Sequence, residues 1–173
     1  MVVEGRRRNI PDSSFHPQTI INSGGGNKGT TLPEDYREQT QRFFGSTRGN
    51  SCESYGFSEI SGAFPGNFST NGFCIPPWFI PMILDKNGEE LLNPKDSKGV
   101  VEGRMAIFDP LVEGRWGGVI SGDNVTVDFS EGPDAVKVPR VLSIARYKDL
   151  AAGDDKLTCA GTIEAYVRGL VEA

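Results

Sequence analysis

The apolar and polar positions in the first third of the chain follow the pattern of a strand, a glycine turn and a helix. Residues 19–22 form a short apolar run, which predicts a buried strand. The glycine-rich stretch at 23–29 comes next, and glycine lets the backbone pass close to another group. Thr31 and Glu34 have the spacing of a capping box, and Gly45 is typical of a helix stop. A helix is therefore expected between them.

From residue 73 onward the pattern changes to short strands. Residues 52–55, further upstream, are expected to lead into a loop. Two apolar runs at 80–84 and 89–92 flank Asn87-Gly88, a combination that predicts a hairpin. Apolar and polar residues alternate at 125–129, so one face of that strand is expected to be buried. The remaining predicted strands are 100–108, 118–121 and 138–147.

The end of the chain returns to a helical pattern. Apolar residues at 162–171 recur with helical spacing, which predicts a terminal helix. The predicted fold class is α/β, with the end of an α/β subdomain followed by a β-rich, barrel-like subdomain and a C-terminal helix. The expected segments are a flexible lead-in over 1–18, an α/β segment over 19–72, a β-rich subdomain over 73–150, and a hinge with the terminal helix over 151–173.

Composition narrows the classes of function. The 173 residues carry a net charge of −5, which argues against a nucleic-acid surface because phosphate backbones favour clustered Lys and Arg. The longest apolar stretch, near 73–84, is interrupted by prolines and is too short to span a membrane. Three separated cysteines and one histidine poorly suit a zinc site, and free thiols suit a reducing compartment. We therefore expect a cytoplasmic protein with no nucleic-acid partner and no membrane span.

The candidate chemistry is concentrated in the segment 53–59 and in Asp123. The ring of Tyr55 can stack on a flat heterocycle, and the hydroxyl of Ser58 can donate to a phosphate oxygen. The carboxylate of Glu59 can hold a hard cation such as Mg²⁺. Asp123, on a predicted Gly-containing turn, can accept hydrogen bonds from ribose hydroxyls. Together these groups predict a site for adenine, ribose, phosphate and magnesium.

Each of these features also has an ordinary structural explanation. Tyr55 has the character of a core aromatic at the end of a strand, and Gly-Asp pairs such as the one at Asp123 are common in β-turns. The glycine-rich stretch at 23–29 is also typical of a flexible connection. The neighbours Ser58 and Glu59 favour the nucleotide site for Tyr55, whereas both interpretations of the glycine stretch stay open.

Six short motifs follow one another in a fixed order. They are Gly24-Gly25-Gly26-Asn27-Lys28, a Tyr-Gly-x-Ser-Glu loop at 55–59, Pro76-Pro77-Trp78, Asn87-Gly88, Gly122-Asp123 and Asp154-Asp155-Lys156. This order resembles the second half of an adenylate-forming enzyme, the superfamily of acyl- and aryl-CoA ligases, peptide-synthetase adenylation domains and luciferases. The resemblance is greatest to the acyl-protein synthetase and phenylacetate-CoA ligase branch. It spans roughly residues 19–168 and corresponds to the C-terminal part of the large domain.

The resemblance implies an adenine-binding role for two groups of residues. Gly24, Gly25 and Gly26 resemble the strip that lies beside the adenine. Tyr55 resembles the ring that stacks on the base, and Gly56 is the glycine that follows it in the motif. The open glycine turn would let peptide groups reach the edge of the base, where a Cβ would intrude.

The resemblance also implies a phosphate and ribose side to the site. Ser58 resembles the hydroxyl near the phosphate, and Glu59 the magnesium ligand. Asp123 resembles the ribose-binding aspartate, and Asp155 the hinge residue. Arg146 is the nearest candidate for the arginine that this family carries before its hinge aspartates.

The activity implied by the resemblance is ATP-dependent activation of a carboxylic acid, giving an acyl-adenylate and then an acyl thioester. The implied cofactors are ATP or AMP and Mg²⁺. The implied substrates are a fatty or aryl carboxylic acid and a thiol acceptor such as CoA or a protein cysteine. We expect the acid to lie against the apolar residues after Glu59, namely Ile60, Ala63 and Phe64.

The sequence departs from the family in three places. It has no convincing copy of the triphosphate loop, and Ala151-Ala152-Gly153 stands where the family has a Gly-Arg pair. The small domain with the catalytic lysine would begin where this chain ends. We therefore expect a piece of a larger or divided ligase, completed by a partner chain or self-associating. The alternative is a non-catalytic degenerate relative or interaction module that keeps the fold, and the sequence does not decide whether the chain is an enzyme.

Overall fold

The computed structural model describes residues 1–24, 32–69, 72–113, 118–130 and 138–147. Contacts within the chain divide it into two compact units. The first unit comprises Met1–Tyr55 and Pro65–Phe73, and the second comprises Gly56–Phe64 and Cys74–Ala173. Among the described residues, no helix is long and apolar enough to cross a membrane.

The first unit is a small α/β arrangement. Its elements are helix α1 (Val2–Arg7), strand β1 (Ile21–Gly24), helix α2 (Tyr36–Phe44) and strand β2 (Ser51–Tyr55), followed by strand β3 (Phe64–Asn67), whose first residue belongs to the second unit. The three strands form a sheet in the order β1-β2-β3, and β1 pairs with β2 in parallel. Helix α2 connects these two parallel strands, as a crossover connection must. It ends at Gly45, which has the left-handed conformation with φ 66°.

Several local predictions for the first unit need correction. Strand β1 begins two residues later than the predicted run and is largely exposed, with Ile20 beside it 71% accessible. Residues 52–55, which were expected to lead into a loop, form most of the strand β2. Helix α2 begins at Tyr36, so Glu34 precedes the helix and the capping box is wrong; Thr31 lies outside the described residues.

The first 18 residues, expected to be a flexible lead-in, contain helix α1, which the polar pattern did not predict. Phe43 of α2 is 1% exposed and lies directly against Gly5 of α1, where an added Cβ would overlap its ring. The ring of Phe15 packs 5.5 Å from the ring of Phe43 and 4.9 Å from that of Phe44. This apolar contact attaches α1 to α2.

The second unit is built on a five-stranded sheet. Its strands are β4 (Phe73–Cys74, beginning at the unit boundary), β5 (Ile80–Leu84), β6 (Val100–Phe108), β7 (Gly118–Asp128) and β8 (Arg140–Arg146), with a short 3-10 helix at Pro94–Ser97. The order across the sheet is β4-β8-β7-β6-β5. The pairs β5–β6, β6–β7 and β7–β8 are antiparallel. The predicted strand at 100–108 has the bounds of β6, and the predicted strand at 138–147 contains β8.

The predicted alternation of buried residues in the second unit is confirmed at Val125 and Val127, whereas Phe129 follows the end of β7 and is half-buried. Val125 and Val127 of β7 are 1% and 0% exposed, and Val141 of β8 is fully buried. The separate strands predicted at 118–121 and 125–129 are instead one continuous strand, β7. Other core side chains of this unit are Phe64, Ile75, Phe79, Ile83, Val101, Met105 and Ile107. The predicted fold class, an α/β segment followed by a β-rich one, is confirmed, whereas the hinge and helix predicted for 151–173 lie outside the described residues.

The predicted hairpin at Asn87-Gly88 forms as a turn, with Gly88 at φ 80°. The predicted second strand at 89–92 is reduced to a single bridge between Leu84 and Leu91. The N–H of Leu92 donates to the carbonyl of Ile83 at 2.8 Å, on the outer side of β5. The main partner of β5 in the sheet is therefore β6 and not the segment after the turn.

Asp85 stabilises this turn and makes its stability depend on pH. Its Oδ1 atom accepts hydrogen bonds from the backbone N–H groups of Glu90 (2.9 Å) and Glu89 (2.7 Å), which lower the pKa of Asp85. A lowered carboxyl pKa in the folded state stabilises the protein above the ordinary value of about 4, and this stabilisation is lost as the pH falls through the lowered pKa. We expect the parent to lose more stability than Asp85→Asn as the pH falls from about 4 through the lowered pKa of Asp85.

Urea unfolding at a series of pH values measures this difference. Asp96→Asn changes an exposed aspartate of the same unit outside the turn and should follow the parent. If the free energy of unfolding falls equally with pH in the parent and in Asp85→Asn, protonation of Asp85 does not affect the stability of the protein.

Candidate functional site

Ser58 and Glu59 lie together on an exposed turn of the second unit, a few residues after the end of β2. The hydroxyl of Ser58 donates to Oε2 of Glu59 at 3.3 Å. Both residues line an open depression of about 430 Å³, whose other lining residues are Ile60, Ser61, Leu111 and Val112. A hydroxyl donor and a carboxylate therefore face solvent side by side, as the phosphate and magnesium roles require.

The turn that carries Ser58 and Glu59 is fixed at both ends. The N–H of Ile60 donates to the carbonyl of Phe57 at 3.4 Å, so Ser58 and Glu59 are the two central residues of the turn. Ile60, which follows these two residues, is 8% exposed, so its side chain is largely buried. Of the three residues expected to contact the acid, Phe64 is fully buried and packs against Phe79 with ring centroids 5.2 Å apart, so its expected role needs correction. Ile60 lines the depression and Ala63 is exposed, so their acid-binding role stays a prediction.

Asp109 is a residue of this region that the sequence interpretation missed. It follows β6 and is fully buried. Its Oδ2 atom accepts the backbone N–H of Ser61 at 2.6 Å, and its Oδ1 atom accepts the backbone N–H of Leu111 at 3.0 Å. The available signal was an aspartate directly before Pro110 at the end of an apolar strand, a typical start of a turn.

Asp123 and Arg146 form a cross-strand pair. The two residues lie opposite each other on β7 and β8, and Nη1 of Arg146 is 3.2 Å from Oδ1 of Asp123. The Asp123 side chain is 14% exposed. Gly122 provides room for this arrangement, because a Cβ there would lie 3.2 Å from the guanidinium carbon of Arg146. The predicted turn at Gly122-Asp123 is wrong, since both residues belong to β7.

Tyr55 lies at the end of β2 in the first unit. It is 9% exposed, and its ring centroid is 6.1 Å from that of Phe73, with the planes tilted by 51°. This burial is that of a core aromatic, the ordinary explanation given above. Stacking of the ring on a base stays a prediction.

The predicted glycine positions are only partly described. Gly24 ends β1, and a Cβ added there would lie 2.7 Å from Oγ of Ser54, so the space beside Gly24 is occupied by that side chain. Gly25 and Gly26 lie outside the described residues. Gly56 is exposed, and a Cβ there would lie 3.2 Å from Ala63.

The structure therefore brings the predicted residues together as two pairs in the second unit, Ser58 with Glu59 and Asp123 with Arg146. In the described part of the chain, no three side chains of His, Cys, Asp or Glu come close enough to hold a metal ion by themselves. Mg²⁺ bound with a nucleotide needs only one or two protein carboxylates, because phosphate and water oxygens supply the rest. The exposed carboxylate of Glu59 fits that limited role.

Comparisons with known proteins give a structural likeness and no sequence match. No protein-family model matches the chain. No curated protein matches it either. The chain is similar to the crystal structure of apo MatB from Rhodopseudomonas palustris, with a TM-score of 0.43 and 16% sequence identity. The match covers 71% of this chain and 25% of MatB, so the chain spans about a quarter of the length of that protein.

Proposed function

We propose that this chain is part of an ATP-dependent ligase that activates a carboxylic acid as an acyl-adenylate and passes the acyl group to a thiol such as CoA or a protein cysteine. The observation that carries the proposal is the pairing of Asp123 with Arg146, 3.2 Å apart. The family resemblance singled out these two residues, 23 positions apart, as a ribose aspartate and as the nearest candidate for the arginine before the family's hinge. Their meeting on adjacent strands supports both assignments together.

The pair has the chemistry that a ribose needs. A carboxylate offers about four acceptor positions on its two oxygens, so the contact of Arg146 with Oδ1 does not by itself use up Asp123. The guanidinium has five N–H donors, so it can hold the carboxylate and still donate to a sugar oxygen. A cross-strand ion pair stabilises a sheet by only about 0.2–1 kcal/mol. Changes at Asp123 are therefore expected to affect binding more than folding.

Ser58 and Glu59 would serve the phosphate side. When bound with ATP, Mg²⁺ would neutralise the negative charge that develops on the phosphate oxygens during attack by the substrate carboxylate. The exposed carboxylate of Glu59 is available to hold that cation, and the hydroxyl of Ser58 to donate to a phosphate oxygen in place of its present contact with Glu59. Both groups are already on the surface of the depression, so their use requires only rotation of side chains.

The second candidate function is a non-catalytic relative or interaction module that keeps the fold. Two observations in the first unit favour it. The Tyr55 ring is buried, which leaves little of its surface for a base, and the space beside Gly24 is filled by Ser54. A chain of this kind would keep the polar pairs of the second unit without binding adenine.

Calorimetric titration of the protein with AMP and with Mg-ATP distinguishes the two candidates. We expect Asp123→Asn to weaken binding of both ligands by about 1.5–3 kcal/mol, the usual contribution of a hydrogen bond to a charged group. Glu59→Gln should weaken Mg-ATP binding and leave metal-free AMP binding unchanged, because its role is through the cation.

Asp128→Asn is the matched control for Asp123→Asn. Asp128 lies on the same strand, is also 14% exposed, and also pairs with an arginine of β8, Arg140, at 3.7 Å. This variant should bind AMP like the parent. Equal binding by Asp123→Asn and the parent would remove the ribose assignment, and a folded parent that binds neither ligand would favour the non-catalytic candidate.

A further inference from the structure

A single buried carboxylate joins the two walls of the depression. Asp109 is fully buried, and each of its oxygens accepts a backbone N–H from a different wall. Ser61 belongs to the wall that carries Ser58 and Glu59, and Leu111 belongs to the opposite wall. Ser61 is 48 residues away in sequence, so this contact holds two distant parts of the second unit in register.

Because Asp109 is buried, its carboxylate depends on these two hydrogen bonds. A buried carboxylate without partners is strongly disfavoured, so the N–H groups that Asp109 accepts must stay in place. The 2.6 Å distance from the nitrogen of Ser61 to Oδ2 is that of a short, charge-assisted hydrogen bond. With Ile60 buried and the N–H of Ser61 held, the exit of the Ser58–Glu59 turn has little freedom to move.

We propose that Asp109 is a positioning residue for the magnesium and phosphate groups of the depression, fixing Glu59 and Ser58 through its hydrogen bond to the N–H of Ser61. This role deepens the proposed function and rests on it. Asp109 does not line the depression, so it acts through the backbone and does not itself contact a ligand. An asparagine at this position has one acceptor oxygen and would present an NH₂ group to the second N–H. It can therefore satisfy one wall only.

Amide hydrogen exchange on ¹⁵N-labelled protein tests the positioning directly. In Asp109→Asn we expect exchange at Ser61 or Leu111 to accelerate by about tenfold or more, with little change at Val127 in the middle of the sheet. Asp85→Asn is the matched control, since it removes a carboxylate that also accepts backbone N–H groups, but at the hairpin turn. Unchanged exchange at both Ser61 and Leu111 in Asp109→Asn would overturn the proposal.

A double-mutant cycle, in which Mg-ATP affinity is measured for two single variants and their combination, provides a readout that a purely structural role would not change. If Asp109 acts through Glu59, Asp109→Asn should weaken Mg-ATP binding, and the double variant with Glu59→Gln should bind no more weakly than Glu59→Gln alone. Additive losses would overturn the positioning role. The exchange experiment needs no ligand, so it decides the contact with the walls even if the parent binds no Mg-ATP and the proposed function fails.

A measurement on the parent covers the case in which Asp109→Asn does not fold. The short hydrogen bond to a charged oxygen should shift the amide proton of Ser61 downfield in the NMR spectrum. A Ser61 amide proton at its random-coil position would contradict the proposed contact.

Discussion

Replacing Gly103 by alanine is expected to destabilise the second unit by about 2–3 kcal/mol, the upper part of the usual range for forcing extra atoms into a packed interior. Gly103 is buried in β6 beside β5. A Cβ there would lie 2.9 Å from both Ile83 and Leu92, and closer still to the carbonyl oxygen of Leu84. The Leu84 oxygen belongs to the backbone of the paired strand, so it cannot move away without disturbing the β5–β6 pairing.

Tryptophan fluorescence during urea unfolding measures this effect, because Trp78 lies in the second unit. Gly118→Ala is the matched control, since Gly118 begins β7 in the same sheet and an added Cβ meets no atom of the described residues within 4 Å. That change should be neutral or stabilise slightly, because alanine restricts the unfolded chain. Similar unfolding midpoints for the two variants would contradict the tight packing at Gly103.

Replacing Phe43 by alanine is expected to cost about 3–5 kcal/mol, a large part of the roughly 5–15 kcal/mol that stabilises a typical small protein. Phe43 is 1% exposed and contacts Gly5 on α1. Its loss removes the apolar surface against which α1 packs, so the helix should separate from α2. Trypsin cleavage at Arg6-Arg7-Arg8 should become faster as α1 loses its support.

Phe15→Ala provides the comparison for this prediction. Phe15 contacts the same ring at 5.5 Å but is 37% exposed, so its removal should cost clearly less stability. Trypsin cleavage of Phe43→Ala at the rate of the parent would show that α1 does not depend on this contact.

The elements predicted correctly from sequence are those whose signal is local. Strand β6 was predicted with its full bounds because β-branched and aromatic residues stand at both of its ends. Gly45 was predicted as a helix stop because a left-handed residue at a helix end favours glycine. Strand β2 was missed because Ser51–Tyr55 has no regular alternation. Its extended conformation follows from pairing with β1 on one side and β3 on the other, which are distant in sequence.

The candidate site shows the same difference between features with a local sequence signal and features that depend on distant contacts. The Ser58–Glu59 pair is readable in the sequence, because its two members are adjacent. Gly122-Asp123 has the composition of a turn, and the β6–β7 pairing is irregular there, between Ile120 and Asn124. Pairing of Asp123 with Arg146 of β8 keeps the segment within the strand. The role of Asp109 depends on Ser61, 48 residues away, a contact that local patterns do not contain.

The outer strands of the five-stranded sheet limit its growth. β4 has only two residues, too few to template a further strand. On β5, the carbonyl of Ile83 faces outward to Leu92, and because alternate residues direct their polar backbone groups to the same side, Pro81 also faces outward, where it has no N–H to offer. A second molecule approaching along β5 therefore finds few free backbone groups to pair with, which limits edge-to-edge polymerisation into fibrils from this side of the sheet.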